Sequence, residues 1–312
     1  MNDWRPTAEL SALRRRADLY RKIRDFFAAR GVLEVDTPLL AAHGVTEPNI
    51  ACIEVAGHGW LQSSPEYHMK RLLAAGSGPI YQICRAFRDG EQGRRHNREF
   101  TLLEWYRPDF SLAQLMDECE ALLTPLLGTC ATHRHRFRDI FREQTGVDPL
   151  SGNLADLRDT AEHQHGPLPD LDRAALVDLL MATRVEPGLP RDQLIFIEDF
   201  PGWAAALART REDHDRQQVA QRFEIYAGGL ELANGYLELL DADEQALRFD
   251  NELMRRRQQG LPNMLPDPWL LDALRHGLPA CSGVAVGLER VLMVMLGASE
   301  IGRVMAFTQQ NA

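Results

Sequence analysis

Between Pro79 and Phe87 apolar and polar side chains alternate, a glycine-bearing, arginine-rich loop follows, and the alternation resumes from Glu99 to Arg107. Period two on both sides of a polar loop predicts a β-hairpin. In its second strand Leu102, Glu104 and Tyr106 share one face, while Thr101, Leu103 and Trp105 point the other way. A carboxylate and a phenol beside an apolar residue suit a pocket for a cation.

A different period governs the N-terminal stretch. From about Ala8 to Arg30, Leu10, Leu13, Ala17, Tyr20, Ile23 and Phe27 form a helical stripe ended by Gly31. The following Val32 to Pro38 reads as a strand stopped by its proline. Leu39 to Gly59, spotted with glycine, proline and histidine, predicts loops around one or two short strands. Ser64 then serves as N-cap and Pro65 as first residue of a helix reaching Gly76. Ser111 to Gly128 predicts another helix, and about 129–191 predicts short helices and turns.

Gln193 to Asp199 predicts a buried strand, and Arg222 to Ala227 with Leu230 to Leu240 a hairpin across Gly228-Gly229. Glu231 and Glu238 stand an odd number of positions apart, so sharing a face requires a bulge, for which Asn234-Gly235 is the expected place. Asp241 with Glu244 opens a helix to Gly260, and Asp267-Pro268 opens one ending near Gly277. A last strand, Ala280 to Val286, runs through Gly287 into a helix, which puts Arg290 in a first turn, where amide donors and the dipole favour phosphate.

Composition narrows the picture. In 312 residues, 45% hydrophobic and 26% charged, a large soluble core is affordable. The most apolar run, Val291 to Leu296, directly follows Glu289 and Arg290, and MNDWRPTAEL lacks a signal-peptide core, so a cytoplasmic protein without a membrane span is expected. Five scattered cysteines without a C-x-x-C pair indicate neither disulfides nor zinc. A net charge of −10 argues against nonspecific nucleic-acid binding, although basic runs remain at Arg14 to Arg16, His133 to Arg138 and Arg255 to Arg257.

The hairpin, with its HNREFTLLEWY, resembles motif 2 of the class II aminoacyl-tRNA synthetases and the corresponding run of lysyl-tRNA synthetases. Gly283 to Arg290, GVAVGLER, resembles motif 3, and Leu230 to Leu240, LELANGYLEL, the acidic segment that holds magnesium and substrate. The N-terminal helix, strand and Pro38 resemble motif 1, which builds the dimer interface. With SSPEYHMKRLL and EWYRP, the set is most similar to truncated lysyl-tRNA synthetase paralogues that attach β-lysine to translation elongation factor P.

The resemblance implies an α+β fold, an antiparallel β-sheet flanked by helices, as a single catalytic domain over 1–312 with a helical insertion at about 129–191. It implies ATP and Mg²⁺, a homodimer, elongation factor P as acceptor in place of tRNA, and no anticodon-binding barrel, since the motif 1-like helix begins so early. Arg88 would hold the α-phosphate and Arg290 the γ-phosphate, Phe100 would stack on adenine, and Asn97 would contact the nucleotide. Asp89, Gly90, Leu232 and Gly287 fall in the nucleotide-binding runs. Glu231 and Glu238 would hold Mg²⁺. Glu104 and Tyr106 would receive the side-chain ammonium of lysine or β-lysine, with Ser64, Glu66 and Glu238 near the other amine.

Two departures from lysyl-tRNA synthetases stand out. Arg88 is followed by Asp89-Gly90 instead of Asn-Glu, which leaves the adenine contact to Glu91 or to a backbone group. Ala285 replaces a motif 3 glycine at the pocket wall, where one methyl discriminates isomers by roughly 1–3 kcal/mol and favours β-lysine. The rival readings are a tRNA ligase without an anticodon domain, an amide ligase acting on a small amine, and an inactive paralogue that binds a partner.

Overall fold

The computed structural model describes residues 4–90, 92–128 and 131–312. Glu91 and Cys130 lie outside the described residues. The chain forms two compact units, Met1–Leu127 with Glu238–Ala312, and Gly128–Leu237.

The first unit opens with α1 (Leu10–Ala28), whose buried residues are Ala12, Leu19, Ile23 and Phe27. The expected stripe is thus rotated: Leu10 is 64% exposed and Ala17 faces solvent. Phe27 decides the rotation by stacking on Tyr81 at 4.4 Å and meeting Trp105 edge-on at 5.3 Å. A two-residue β1 (Leu33–Glu34) follows, shorter than expected. β2 (Leu40–Ala41), β3 (Ile53–Val55) and β4 (Gly59–Leu61) then form a small antiparallel sheet with β4 central. After α2 (Glu66–Ala74) come the hairpin strands β5 (Ile80–Phe87) and β6 (Glu99–Pro108), paired from Ile80↔Tyr106 to Phe87↔Glu99. α3 (Leu112–Leu127) starts with a reciprocal cap, in which Gln114 N donates to Ser111 Oγ and Ser111 N to Gln114 Oε1.

The second unit contains β7 (Thr132–Arg136), α4 (Phe137–Thr145), α5 (Leu154–His165), α6 (Arg173–Leu180) and α7 (Glu186–Gly188), then β8 (Leu194–Pro201), β9 (Thr210–Glu212), β10 (Gln218–Ala227) and β11 (Leu230–Leu237). β10 pairs antiparallel with β8, β9 and β11, and β7 lies parallel on β8. Phe137, Phe141, Leu157, Leu176 and Leu180 pack a core with Ile195 and Ile197 of β8. The helices expected at about 129–191 are α4 to α7; β7 was not legible, because THRHR carries no apolar alternation.

Gly228 and Gly229 close the β10–β11 hairpin with φ of 63° and 77°, a two-residue turn that non-glycine residues adopt at a cost. The pairing passes from Ala233↔Ile225 to Glu231↔Tyr226, so Leu232 is the extra residue of a bulge. Asn234 and Gly235, the expected bulge, are regularly paired instead with Glu224 and Phe223.

The chain returns to the first unit with α8 (Ala242–Gln258), α9 (Pro268–Gly277), β12 (Cys281–Gly287) and α10 (Leu288–Leu296). The side chains of Asp241 and Asp267 cap the two longer helices as expected. In this unit the strands run β1-β5-β6-β12. On one face of β6, buried Glu289 of α10 accepts from the Thr101 amide at 2.8 Å and from Arg16 of α1 at 2.7 Å. Arg16 and Arg256, from two of the basic runs, are therefore structural, the former bonded also to the carbonyl of Val304 and the latter to the carbonyls of Pro262 and Glu47. Among the described residues, no helix is long and apolar enough to cross a membrane.

Candidate active site

The opposite face of β6 carries the chemistry. Because β6 is antiparallel to both neighbours, directly opposed residues share a face. Phe100, Leu102, Glu104 and Tyr106 meet Ala86, Cys84, Gln82 and Ile80 of β5. On the other side, Tyr106, Glu104 and Leu102 meet Gly283, Ala285 and Gly287 of β12. Ala285 thus stands opposite Glu104 and packs with Phe100 against Cys84, Ala86 and Leu102.

Glu104 is 2% exposed. Its Oε1 accepts from the Tyr106 hydroxyl and its Oε2 from Ser64 Oγ, each at 2.7 Å. Ser64 Oγ also accepts from the Glu66 amide at 3.1 Å. The helix begins at Glu66, one residue later than expected, so Ser64 sits ahead of the cap position and couples the start of α2 to the buried acid. Both partners of Glu104 are neutral hydroxyls, and no cation pairs with it among the described residues. Burial, helped by the negative charge of Glu66, pushes its carboxyl up to about 8 against the two hydrogen bonds.

Lys70, which no motif singled out, completes the cluster. It lies one turn after Glu66 on α2 and is 2% exposed. Its Nζ stands 2.7 Å from Glu66 Oε1 and 2.7 Å from Glu238 Oε2. Burial alone would lower the lysine pKa, and the two carboxylates outweigh it and raise it. Glu238 itself is 1% exposed. Gly283 fits between these groups because it lacks a side chain: a Cβ there would stand 2.6 Å from Glu238 Oε1 and closer still to the Tyr106 ring.

The nucleotide candidates collect at the turn of the hairpin. The Arg88 guanidinium lies over the Phe100 ring, 5.2 Å from its centroid. Asp89 accepts from the Gly90 amide at 2.9 Å and pairs with Arg98 at 3.1 Å, while Gly90 takes φ of 76°. Asn97 serves the main chain, donating to Glu99 O at 2.7 Å and accepting from Gln309 N at 3.3 Å. Arg290 Nη2 approaches His96 Nε2 at 2.8 Å. A guanidinium can only donate, so His96 Nε2 is the acceptor and its ring proton sits on Nδ1. Gly287 occupies the position before α10.

Glu231 and Leu232 belong to β11 of the second unit, with Glu231 near the half-buried Arg222 and the buried Glu224 and Tyr226. A half-buried carboxylate in that company offers the hard oxygen that Mg²⁺ prefers. Glu238 fits a metal less well, because the Lys70 ammonium already lies against its Oε2.

This strand face, with its guanidinium groups at one end and buried acids at the other, belongs to a class II synthetase: the chain matches the family described as tRNA synthetases class II (D, K and N) over residues 2–311, and is a member of it. Among curated proteins it is 44% identical over 321 residues to the elongation factor P–(R)-β-lysine ligase of Pasteurella multocida, an alignment covering 99% of this chain and 98% of that one. Ligases of the same name from Mannheimia succiniciproducens and Yersinia enterocolitica are each 45% identical, covering 99% and 97% of this chain and 98% and 97% of their own.

Proposed function

We propose that this protein activates (R)-β-lysine, or lysine, with ATP and transfers it to a lysine ε-amine of translation elongation factor P. The observation that carries the reading is Glu104: a buried acid, hydrogen-bonded among the described residues only by neutral hydroxyls, awaiting a cation at the end of a face lined by Ala285. A charge-assisted pair with an amino-acid side-chain ammonium supplies that cation. The similarity to β-lysine ligases along the whole chain supports the same substrate and acceptor.

Carboxylate activation asks for positioning and charge neutralisation more than for acid–base groups, since the attacking carboxylate is ionised near neutral pH. Arg88 and Arg290 are assigned to phosphate oxygens, Phe100 to the adenine, and the Asp89-Gly90 turn, Asn97, Leu232 and Gly287 to the shape of the nucleotide site. Glu231 is assigned to Mg²⁺, which would neutralise phosphate charge. Glu238, expected to share the metal, is assigned with Glu66 to the substrate amine, given its Lys70 contact. Tyr106 and Ser64 orient Glu104.

A homodimer through the motif 1 stretch is also proposed, on the exposure of Leu33, Leu39 and Leu40 beside the two-residue β1. The proposed acceptor, a translation factor, makes the location cytoplasmic. The test is amino-acid-dependent ATP–pyrophosphate exchange with lysine and (R)-β-lysine, followed by transfer to purified elongation factor P with bulk tRNA in parallel. Exchange and a mass gain on the factor are expected; charging of tRNA with an unchanged factor would overturn the reading.

A further inference from the structure

In the first unit Glu66 and Glu238 share the internal ammonium of Lys70, and Glu104 lies close enough to both acids to feel their charge. We propose that Lys70 is a positioning residue of the amino-acid pocket, a built-in ammonium that holds Glu66 and Glu238 in the arrangement the substrate's amine requires. This rests on the pocket assignment above and adds to it a residue that lies within SSPEYHMKRLL but was given no role there.

Geometry supports the proposal from both sides of Lys70. Each acid presents one carboxylate oxygen to Nζ at 2.7 Å and carries a second. Glu238 turns that oxygen, Oε1, toward Gly283, whose missing side chain leaves the room between the acid and the Tyr106 ring. Glu66 starts α2, and its amide is tied through Ser64 Oγ to Glu104, so Lys70, one turn on, fixes the carboxylate relative to the third acid.

Charge supports it as well. With Lys70 counted, the three ionised acids retain an excess of two negative charges, the number of ammonium groups on a diamino acid. Without the internal ammonium, Glu66 and Glu238 would repel each other in a site sheltered from water and would move apart or take up protons. A pair whose purpose was stability alone would not be expected here, because buried ion pairs rarely outperform apolar side chains of similar volume.

The test is steady-state ATP–pyrophosphate exchange by the full chain carrying Lys70→Ala or Lys70→Met, with thermal melting as a check on folding. KM for β-lysine or lysine should rise about tenfold or more, while KM for ATP and kcat change by no more than about threefold. Added propylammonium should restore KM in the alanine variant, and sodium chloride at equal ionic strength should not. Folded variants with an unchanged amino-acid KM would overturn the proposal. So would failure of both variants to fold, which would make the ion pairs structural. An absence of amino-acid-dependent exchange in the unmodified protein would instead count against the proposed function.

Discussion

At the scale of single residues, Glu104 has the sharpest consequence. Its carboxyl is pushed up to about 8, so it largely holds its proton at pH 7 when no ammonium is present. An ammonium substrate requires the carboxylate, so binding must release a proton, and affinity should increase as pH rises from about 6 toward 8. Calorimetric titration with β-lysine in buffers of different ionisation enthalpy should detect that release at pH 7. Glu104→Gln should abolish it and raise KM for the amino acid by about two orders of magnitude. Gly283→Ala is the steric counterpart. Its methyl would collide with Tyr106 and Glu238, so amino-acid KM should rise well above tenfold with ATP binding retained, measured by the same exchange assay. How far these residues were legible differs case by case. Glu104 and Tyr106 could be set on one face because strand periodicity is strict, and Ala285 because motif 3 fixes its register. Lys70 could not be found, since a lysine on an amphipathic helix ordinarily faces water, and only the fold brings Glu238, 168 positions later, to its ammonium.

At the scale of elements, the β5–β6 hairpin divides its labour between two faces, one for the site and one for packing. The packing face is held by a buried acid: Glu289 joins α10 to Thr101 of β6 and to Arg16 of α1. Arg16→Met would remove the nearer of two guanidinium groups from that charge, leaving Arg85 Nη1 at 3.9 Å, and should cost about 3 kcal/mol of stability, read from denaturant unfolding. If the variant unfolds at the same denaturant concentration as the parent, the ion pair is not what fixes α1. Hairpins and capped helices were readable because their signals are local, as at Gly228-Gly229, Asp241 and Asp267. The rotation of α1 and the bulge at Leu232 were not. Aromatic packing of Phe27 decides the first, and strand pairing along β10 decides the second, both being long-range facts.

At the scale of the whole molecule, several buried or half-buried carboxyls act together on stability. Glu104 is raised to about 8, and Glu224 and Glu252 to about 7, in each case first through burial. A carboxyl whose folded pKa lies above its unfolded value stabilises the fold below the unfolded value, and loses that contribution as pH climbs through the folded one. The melting temperature of the ligand-free protein should therefore fall between about pH 5 and 8. β-Lysine should restore part of the loss, because its ammonium compensates Glu104. A melting temperature that rises steadily over that window would contradict the burial of these acids in their ionisable form.

The central claim concerns what the chain makes, and intact mass of purified elongation factor P addresses it most directly. After incubation with this protein, ATP, Mg²⁺ and either (R)-β-lysine or α-lysine, the factor should gain the mass of one lysyl group. The gain should be larger with the β isomer and absent when Arg290 is replaced by alanine. An unchanged factor beside charged tRNA, or no transfer of either isomer under conditions that support pyrophosphate exchange, would contradict the account.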